Sequence, residues 1–225
     1  MRQILLSAVI GYLLGSIPFG YLLVRAFRGQ DVRTTGSGNI GATNVARTSP
    51  LLGFSTLLLD AVKGTAAVTA AVLFSMPDLM TWVDSNAPHY AEHPWAPLPP
   101  AIAIRAAVAA LFAILGHVFP IWLRLRGGKG VATAVGAFSL LAPIAIFAAV
   151  VLFVLVAFLS RFVSLSSIIA AASFPVLAWL FYRHEFSWQI IVVICMGSCV
   201  IIVRHHQNIR RLVAGTEPRF QFKSK

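Results

Sequence analysis

A glycine-rich polar segment carries the residues best suited to chemistry in this chain. Residues 36–47 read GSGNIGATNVAR, with three glycines, two asparagines, a serine, a threonine and a final arginine. Glycines let successive backbone N–H groups point into one concavity, which is a common way to hold phosphate oxygens. The spacing G-x-G-x-x-G indicates a dinucleotide site only after a strand, whereas an apolar stretch at residues 4–26 precedes it here. The segment therefore predicts an anion cradle outside a nucleotide-binding fold.

Two further polar segments have the same character. Residues 124–133 read RLRGGKGVAT, and residues 205–212 read HHQNIRRL. The first is not a Walker A loop, because the upstream glycine is missing and Gly130 replaces the serine or threonine that would bind magnesium. It still offers a flexible backbone beside the fixed positive charge of Lys129. Together the three segments predict a site for a phosphorylated, multiply anionic molecule.

The elements that must position these segments are membrane helices. The chain has 225 residues, of which 58% are hydrophobic and 11% charged, and its mean hydropathy is +0.83. A soluble globular domain has about 25% charged residues, so the composition predicts a polytopic membrane protein. There is room for one compact bundle, and we expect a single transmembrane domain at residues 1–225.

The net charge of +11 fits membrane topology better than nucleic-acid binding. The basic residues lie between and after apolar stretches, where the positive-inside rule places them, and no aromatic-interleaved basic surface is present. We expect no nucleic-acid partner, no metal and no other cofactor. Cys195 and Cys199 lie four residues apart within one apolar stretch, and we interpret them as buried packing residues.

Hydropathy predicts seven transmembrane helices in an all-α bundle. Five apolar stretches lie at about residues 4–26, 51–75, 101–123, 166–182 and 187–203. Residues 131–160 are ambiguous, because one span needs about 20 residues and two need about 40. Two short helices turning near Pro143 place the basic loops and the basic C-terminal tail on one face, so we interpret this stretch as two. The N-terminus is then outside, and fourteen of the eighteen Lys and Arg residues are cytoplasmic.

Other features of the stretches give local predictions. Gly11 and Gly15 are spaced to let a neighbouring helix approach closely, and Pro18 predicts a kink before the first polar segment. Asp60 and Lys63 are one helical turn apart inside a span, either as a structural ion pair or in support of a site. Residues 76–100 contain six prolines, three acidic residues and no Lys or Arg, which is typical of an external loop.

The ordered segments GSGNIGATNVAR, GHVFPIWLRLRGGKGVAT and HHQNIRRL resemble the signature segments of the bacterial acyl-phosphate:glycerol-3-phosphate acyltransferase family (PlsY). LLDAVKG and RFVSLSS are similar to its flanking segments and GSIPFGYLL to its first helix, and only residues 76–100 fall outside the likeness. The resemblance implies a seven-helix enzyme of the bacterial inner membrane with a cytoplasmic active site. It would transfer a fatty acyl group from acyl phosphate to the sn-1 hydroxyl of glycerol 3-phosphate, giving lysophosphatidate and phosphate in the first acylation step of phospholipid synthesis. We expect a monomer in the lipid bilayer.

The resemblance also implies roles for individual residues, namely Ser37, Asn39, Arg47, Lys129, Ser164, His205 and Asn208. The predicted catalytic residues are Ser37, Lys129, His205 and Asn208. The predicted substrate-binding residues, which include both glycine turns, are Gly36, Gly38, Asn39, Thr43, Asn44, Arg47, Gly127, Gly128, Gly130 and Ser164. Which phosphate each segment holds, whether His205 or the leaving phosphate takes the hydroxyl proton, and what His206 and Gln207 do stay open.

Two other functions fit the sequence less well. A small organic-anion transporter would need broken helices meeting near the midplane and an internal repeat, whereas the polar segments gather at one face. A scaffold for lipid enzymes has no specific feature in its favour. The His-x4-Asp arrangement of acyltransferases that use acyl-CoA or acyl carrier protein is absent. An acyl phosphate is already an activated anhydride, so we expect direct attack in a ternary complex without an acyl-enzyme.

Overall fold

The computed structural model describes residues 1–77, 80–81 and 98–219, which form helices joined by turns and loops, with no strand among them. Most of the external loop predicted at residues 76–100 lies outside the described residues. The helices are numbered here in chain order: α1 (Arg2–Gly15), α2 (Phe19–Arg28), α3 (Ala42–Thr48), α4 (Pro50–Leu73), α5 (Pro100–Val118), α6 (Val131–Phe138), α7 (Pro143–Ser160), α8 (Val163–Tyr182), α9 (Trp188–Arg204) and α10 (His206–Val213). Short 3-10 turns occur at Val32–Thr34 and Ile121–Leu123.

Five segments in the described part of the chain are long and apolar enough to cross a membrane: Arg2–Arg28, Pro50–Leu73, Pro100–Leu123, Pro143–Ser160 and Val163–Tyr182. The pair α9 and α10 makes a sixth if the two helices, bent by 56°, count as one span. The remaining predicted span, α6, has only eight residues. At 1.5 Å per residue it is about 12 Å long, which is shorter than a bilayer core.

The break predicted near Pro143 is present. Helix α6 ends at Phe138, and α7 begins at Pro143 itself. Proline is accepted at the first helical position because the N–H that it lacks would have no partner inside the helix there. The stretch at residues 131–160 is therefore two helices, as the sequence predicts.

The first span packs closely on α5 through glycines. A methyl group on Gly11 would overlap the carbonyl oxygen of Ala109, and one on Gly15 would overlap that of Ala113. This confirms the predicted close approach of a neighbouring helix. The predicted kink is also present, since α1 ends at Gly15 and α2 starts directly after Pro18.

A small apolar cluster lies apart from the main core and supports the first glycine-rich segment. It contains Val24, Val32, Ile40, Val45, Leu52 and Leu123. These residues come from α2, the loop, α3, α4 and the turn after α5, so the cluster joins the loop to three helices. The main core, by contrast, is built from buried residues of α4 to α9.

The interpretation of Cys195 and Cys199 as buried packing residues is wrong, because both are exposed on α9. The face of α9 that packs on the bundle consists of Ile190, Ile194, Gly197, Ser198 and Ile201. A lipid-facing stripe is as apolar as a buried one, so hydropathy alone does not separate the two faces.

Candidate active site

The buried side chain of Asn44, only 3% exposed, holds the first glycine-rich loop. Its Oδ1 accepts the Ser37 backbone N–H at 2.8 Å. Its Nδ2 donates to the carbonyl oxygens of Val32, Thr35 and Asn39 at 3.1, 3.1 and 2.9 Å. Because the loop backbone uses both ends of this amide, Asn44 shapes the loop, and its predicted role as a substrate ligand stays a prediction.

Two glycines of this loop adopt conformations that other residues rarely take. Gly36 and Gly38 have φ values of +56° and +68°. A methyl group on Gly36 would also overlap Oδ1 of Asn44. The turn that results leaves Ser37 exposed at its tip.

The second glycine turn folds back onto the end of α5. The N–H of Gly127 donates to the Val118 carbonyl at 3.2 Å, and that of Gly128 donates to the His117 carbonyl at 3.0 Å. A side chain on Gly128 would overlap the His117 ring. The next residue, Lys129, therefore projects from a turn pressed against α5.

The third segment lies where α9 bends into α10. His205, at the bend, is 2% exposed, and its Nδ1 lies 2.8 Å from the Ile201 carbonyl oxygen. A carbonyl only accepts, so Nδ1 carries the proton and Nε2 has a free lone pair. Burial lowers the pKa of His205 to about 4, and the nearby positive charge of Lys129 adds to this effect. The ring is therefore neutral at physiological pH.

A hydrogen-bonded network joins the second and third segments to the chain end. Lys129 Nζ donates to Asn208 Oδ1 at 2.7 Å, and Asn208 Nδ2 donates to Glu217 Oε1 at 2.6 Å. Ser164 Oγ donates to the same Glu217 oxygen at 2.6 Å, and Arg211 Nε donates to Oε2 at 2.7 Å. Glu217 thus connects α8, α10 and, through Asn208, the Lys129 turn.

A cavity of about 210 Å³ opens where the three segments meet. Its lining residues are Ser37, Gly38, Asn39, Leu125, Arg126, Gly127, Lys129, Arg204, His206, Gln207, Asn208 and Arg211. Four of them are basic and none is acidic. The structure thus brings six of the predicted site residues to one cationic cavity, and each of the three sequence segments contributes.

The glycerol-3-phosphate acyltransferase family model matches residues 5–215. The chain belongs to this family. A glycerol-3-phosphate acyltransferase of Nitrobacter winogradskyi is 42% identical over 221 residues, which are 98% of this chain and 97% of that protein.

Solved structures agree with this assignment. PlsY, an integral membrane glycerol 3-phosphate acyltransferase, matches in its glycerol 3-phosphate form with a TM-score of 0.77 and 29% identity, over 97% of this chain and 96% of that one. Its lysophosphatidic acid form matches with a TM-score of 0.75 and 28% identity, over 97% and 95%. The family resemblance in the sequence is confirmed. This glycerol-3-phosphate acyltransferase family member is an integral membrane enzyme of phospholipid synthesis.

The other predicted site residues of this acyltransferase do not line the cavity. Gly36, Gly128 and Gly130 shape the two turns, and Ser164 and His205 are buried. Thr43 is exposed on α3. Arg47, at the end of α3, is exposed too, but its charge reaches Lys129 and lowers the pKa of that residue.

The electrostatics of the acyltransferase site favour an added anion. Burial lowers the pKa of Lys129 to about 8; Glu217 opposes this shift, while Arg211, Arg204 and Arg47 reinforce it. An anion placed among these cations would attract each of them and so offset their mutual repulsion. Burial alone would raise the pKa of Glu217, but hydrogen bonds from Ser164, Asn208 and Arg211 bring it below its ordinary value.

Sequence reasoning missed Glu217 and three arginines. Glu217 is the only acidic residue after Glu185, in a strongly basic tail, and that contrast was the available signal. The arginines Arg126, Arg204 and Arg211 were indistinguishable from topology signals until the fold placed them at the cavity. His206 and Gln207, whose roles the sequence leaves open, line it as well.

Proposed function

We propose that this acyltransferase uses acyl phosphate as its donor and acylates the sn-1 hydroxyl of glycerol 3-phosphate. The products are lysophosphatidate and inorganic phosphate. The observation that carries the proposal is the cavity where the three polar segments meet, with Arg126, Lys129, Arg204 and Arg211 in its wall and no carboxylate. Two phosphorylated reactants repel one another, and four cations offset that repulsion.

The known structures support glycerol 3-phosphate as the acceptor and lysophosphatidate as the product. PlsY has been crystallised in a glycerol 3-phosphate form and in a lysophosphatidic acid form. Because this chain shares its fold over nearly the whole length, we assign the same acceptor and product here. The family resemblance of the sequence supports acyl phosphate as the donor.

A wider groove beside the cationic cavity suits the acyl chain. It has a volume of about 1040 Å³ and lies between the break in the first span and the turn after α5. Half of its lining is apolar: Ile17, Pro18, Tyr21, Leu22, Trp122 and Leu123. The other half consists of Asp31, Arg33, Thr34, Gly38, Arg124 and Arg126. Gly38 and Arg126 line both the groove and the cavity, so the acyl carbonyl would lie between them.

The proposed reaction is a direct transfer. The hydroxyl oxygen of glycerol 3-phosphate attacks the acyl carbonyl carbon, and the bond from that carbon to the phosphate oxygen breaks. The phosphate leaves with the electron pair and takes the hydroxyl proton. His205 is a weaker base for this proton, since its pKa is about 4 while the second pKa of a phosphate is about 6. Lys129 stabilises the charge that develops on the oxygens.

We also propose a monomer with seven transmembrane helices in the bacterial inner membrane, with the N-terminus outside and the site facing the cytoplasm. The seventh crossing is α6, which has eight residues and is followed by the helix break at Pro143. The excess of Lys and Arg around the cavity supports the cytoplasmic orientation.

The direct test is an assay of the purified protein in detergent with acyl phosphate and radiolabelled glycerol 3-phosphate. We expect labelled 1-acyl-lysophosphatidate and one equivalent of phosphate. Acyl-CoA in place of acyl phosphate should give no product. Product from acyl-CoA at a comparable rate would contradict the proposed donor, and acylation at the sn-2 position would contradict the proposed regiochemistry.

A further inference from the structure

Three ionisable side chains form a buried chain between α4 and α5. Asp60, Lys63 and His117 are 2%, 3% and 4% exposed. Lys63 Nζ lies 2.7 Å from Asp60 Oδ1, so the predicted ion pair is present, and His117 Nδ1 lies 3.5 Å from the same oxygen. Asp60 and Lys63 lie near the middle of a membrane helix, where charged groups are costly.

One end of this chain holds the break in the first span. Lys63 Nζ donates to the carbonyl oxygen of Ile17 at 2.7 Å, directly before Pro18. Lys63 also lies 5.7 Å from the centre of the Phe19 ring. Ile17 and Pro18 line the groove proposed for the acyl chain. The ammonium therefore fixes one wall of that groove.

The other end lies under the second glycine turn. The His117 ring occupies the space that a side chain on Gly128 would need. The His117 carbonyl accepts the Gly128 N–H at 3.0 Å. Lys129 follows at once and reaches Asn208 in the cavity wall. A shift of the His117 ring would therefore move the turn that carries Lys129.

Helix packing alone does not account for these charges. Apolar side chains of similar volume often hold two helices as well as a buried ion pair does, or better. Here the three ionisable side chains run from Ile17, which lines the groove, to Gly128, which directly precedes Lys129 of the cavity wall. Reaction depends on the distance between the groove and that wall, because the acyl carbonyl must meet the charge that stabilises it.

We infer that Asp60, Lys63 and His117 are positioning residues that set Lys129 relative to the acyl groove. This inference rests on the proposed function, since it assumes that Lys129 acts on a substrate whose acyl chain lies along Ile17. None of the three side chains needs to touch the substrate. Their effect is transmitted through the Ile17 carbonyl at one end and through Gly128 at the other.

The test compares three changes with one matched control. Asp60→Asn leaves Lys63 without its countercharge, so we expect a less stable protein. Asp60→Asn combined with Lys63→Met removes both charges. His117→Phe keeps the ion pair and a ring of similar size. The control is Thr65→Val. Thr65 also links α4 to another helix, since it donates to the Gly136 carbonyl of α6 at 2.9 Å, but it is not one of the three ionisable residues.

Four quantities are measured on each variant: the unfolding temperature in detergent, kcat, KM for glycerol 3-phosphate, and the rate at which an amine-reactive reagent modifies Lys129. We expect the double variant to regain most of the stability lost in Asp60→Asn while its kcat stays at least about tenfold low. His117→Phe should lower kcat similarly at near-normal stability. Both should change the Lys129 modification rate several-fold, while Thr65→Val leaves it unchanged.

Normal kcat and a normal Lys129 modification rate in both the double variant and His117→Phe would overturn the inference. A low kcat that simply follows the unfolding temperature across all variants, the control included, would also overturn it, since it would show a purely structural role. The modification rate needs no substrate. If the wild-type protein made no lysophosphatidate, the proposed function would fail, while the positioning of Lys129 would still be decided by this measurement.

Discussion

The side chains of Lys129 and Asn208, 79 positions apart in the sequence, meet in a hydrogen bond of 2.7 Å. Lys129 belongs to the second glycine-rich turn, and Asn208 belongs to the short helix after the bend at His205. This single contact joins two of the three polar segments. It also connects Lys129 to Glu217, because Asn208 donates to that carboxylate with the other end of its amide.

Lys129→Ala is expected to lower kcat/KM by roughly 10²–10³-fold while the protein still purifies as a folded bundle. The loss of one donor to developing negative charge typically has this effect. Lys129→Arg should restore little activity, because a planar guanidinium does not replace a compact ammonium in a tight turn. The control is Arg28→Ala, which removes an exposed cation at the end of α2 that lines neither cavity. Normal turnover of Lys129→Ala would remove this residue from the site.

The pH dependence should report Lys129 directly. Its pKa is lowered to about 8, so the ammonium is present below that pH and is lost as the pH rises through it. We therefore expect kcat/KM to fall above about pH 8, measured as initial rates at low substrate concentration. In Lys129→Arg the residual activity should lack this fall, because a guanidinium stays charged. If kcat/KM of Lys129→Arg still fell above about pH 8, the fall would belong to the titration of another group.

Glu217→Gln should destabilise the protein and lower its activity. The carboxylate, 7% exposed, accepts hydrogen bonds from Ser164, Asn208 and Arg211, and hydrogen bonds to a charged group contribute about 1.5–3 kcal/mol each. The pKa of Glu217 is below its ordinary value of 4.5, so its charge stabilises the fold at neutral pH and this contribution is lost on acidification.

The measurement is the unfolding temperature of wild type and variant in detergent as a function of pH. The difference between them should be largest at neutral pH and should shrink as the pH falls below about 4.5. Glu185→Gln is the control, because Glu185 is an exposed carboxylate in the turn after α8. A difference that stayed constant with pH would show that the charge of Glu217 contributes nothing.

No acyl-enzyme should accumulate during turnover. Ser37 is exposed at the cavity, but the buried His205 ring is a weak base with a pKa of about 4. Orientation of two reactants can alone lower a barrier by about 7–11 kcal/mol, so an activated anhydride needs no covalent step. Initial-velocity lines for the two substrates should intersect. Rapid denaturation after mixing with radiolabelled acyl phosphate should leave the protein unlabelled. A stoichiometric adduct that glycerol 3-phosphate chases into lysophosphatidate would contradict direct transfer.

Topology can be tested by cysteine labelling. In a background where Cys195 and Cys199 are replaced by serine, single cysteines at Leu125 and Val213 should react with an impermeant reagent only from the cytoplasmic side. A cysteine at Glu185 should react only from outside. All three positions are exposed. Labelling of Leu125 and Val213 from opposite sides would mean that residues 131–160 cross the membrane once, and the proposed seven-helix count would fail.

The sequence by itself determined the class of protein and the segments that form the site. Hydropathy depends on composition within a window, so the membrane helices could be read without knowledge of the fold. The kink at Pro18 and the helix start at Pro143 were also predictable, because proline limits the backbone of its own residue and of its neighbour. The three polar segments were recognisable because glycine turns and their cations are contiguous in the chain.

Only the tertiary structure decided what each side chain faces. Asn44 turns inward to hold the loop, and Cys195 faces away from the core. Glu217 accepts a hydrogen bond from Ser164, 53 positions away in the sequence. The direction of a side chain depends on how helices rotate against one another, and that rotation follows from packing over the whole bundle. An arginine that fixes topology and an arginine that lines a cavity look alike in sequence, since both end a membrane helix, and only the position of the neighbouring helices separates them.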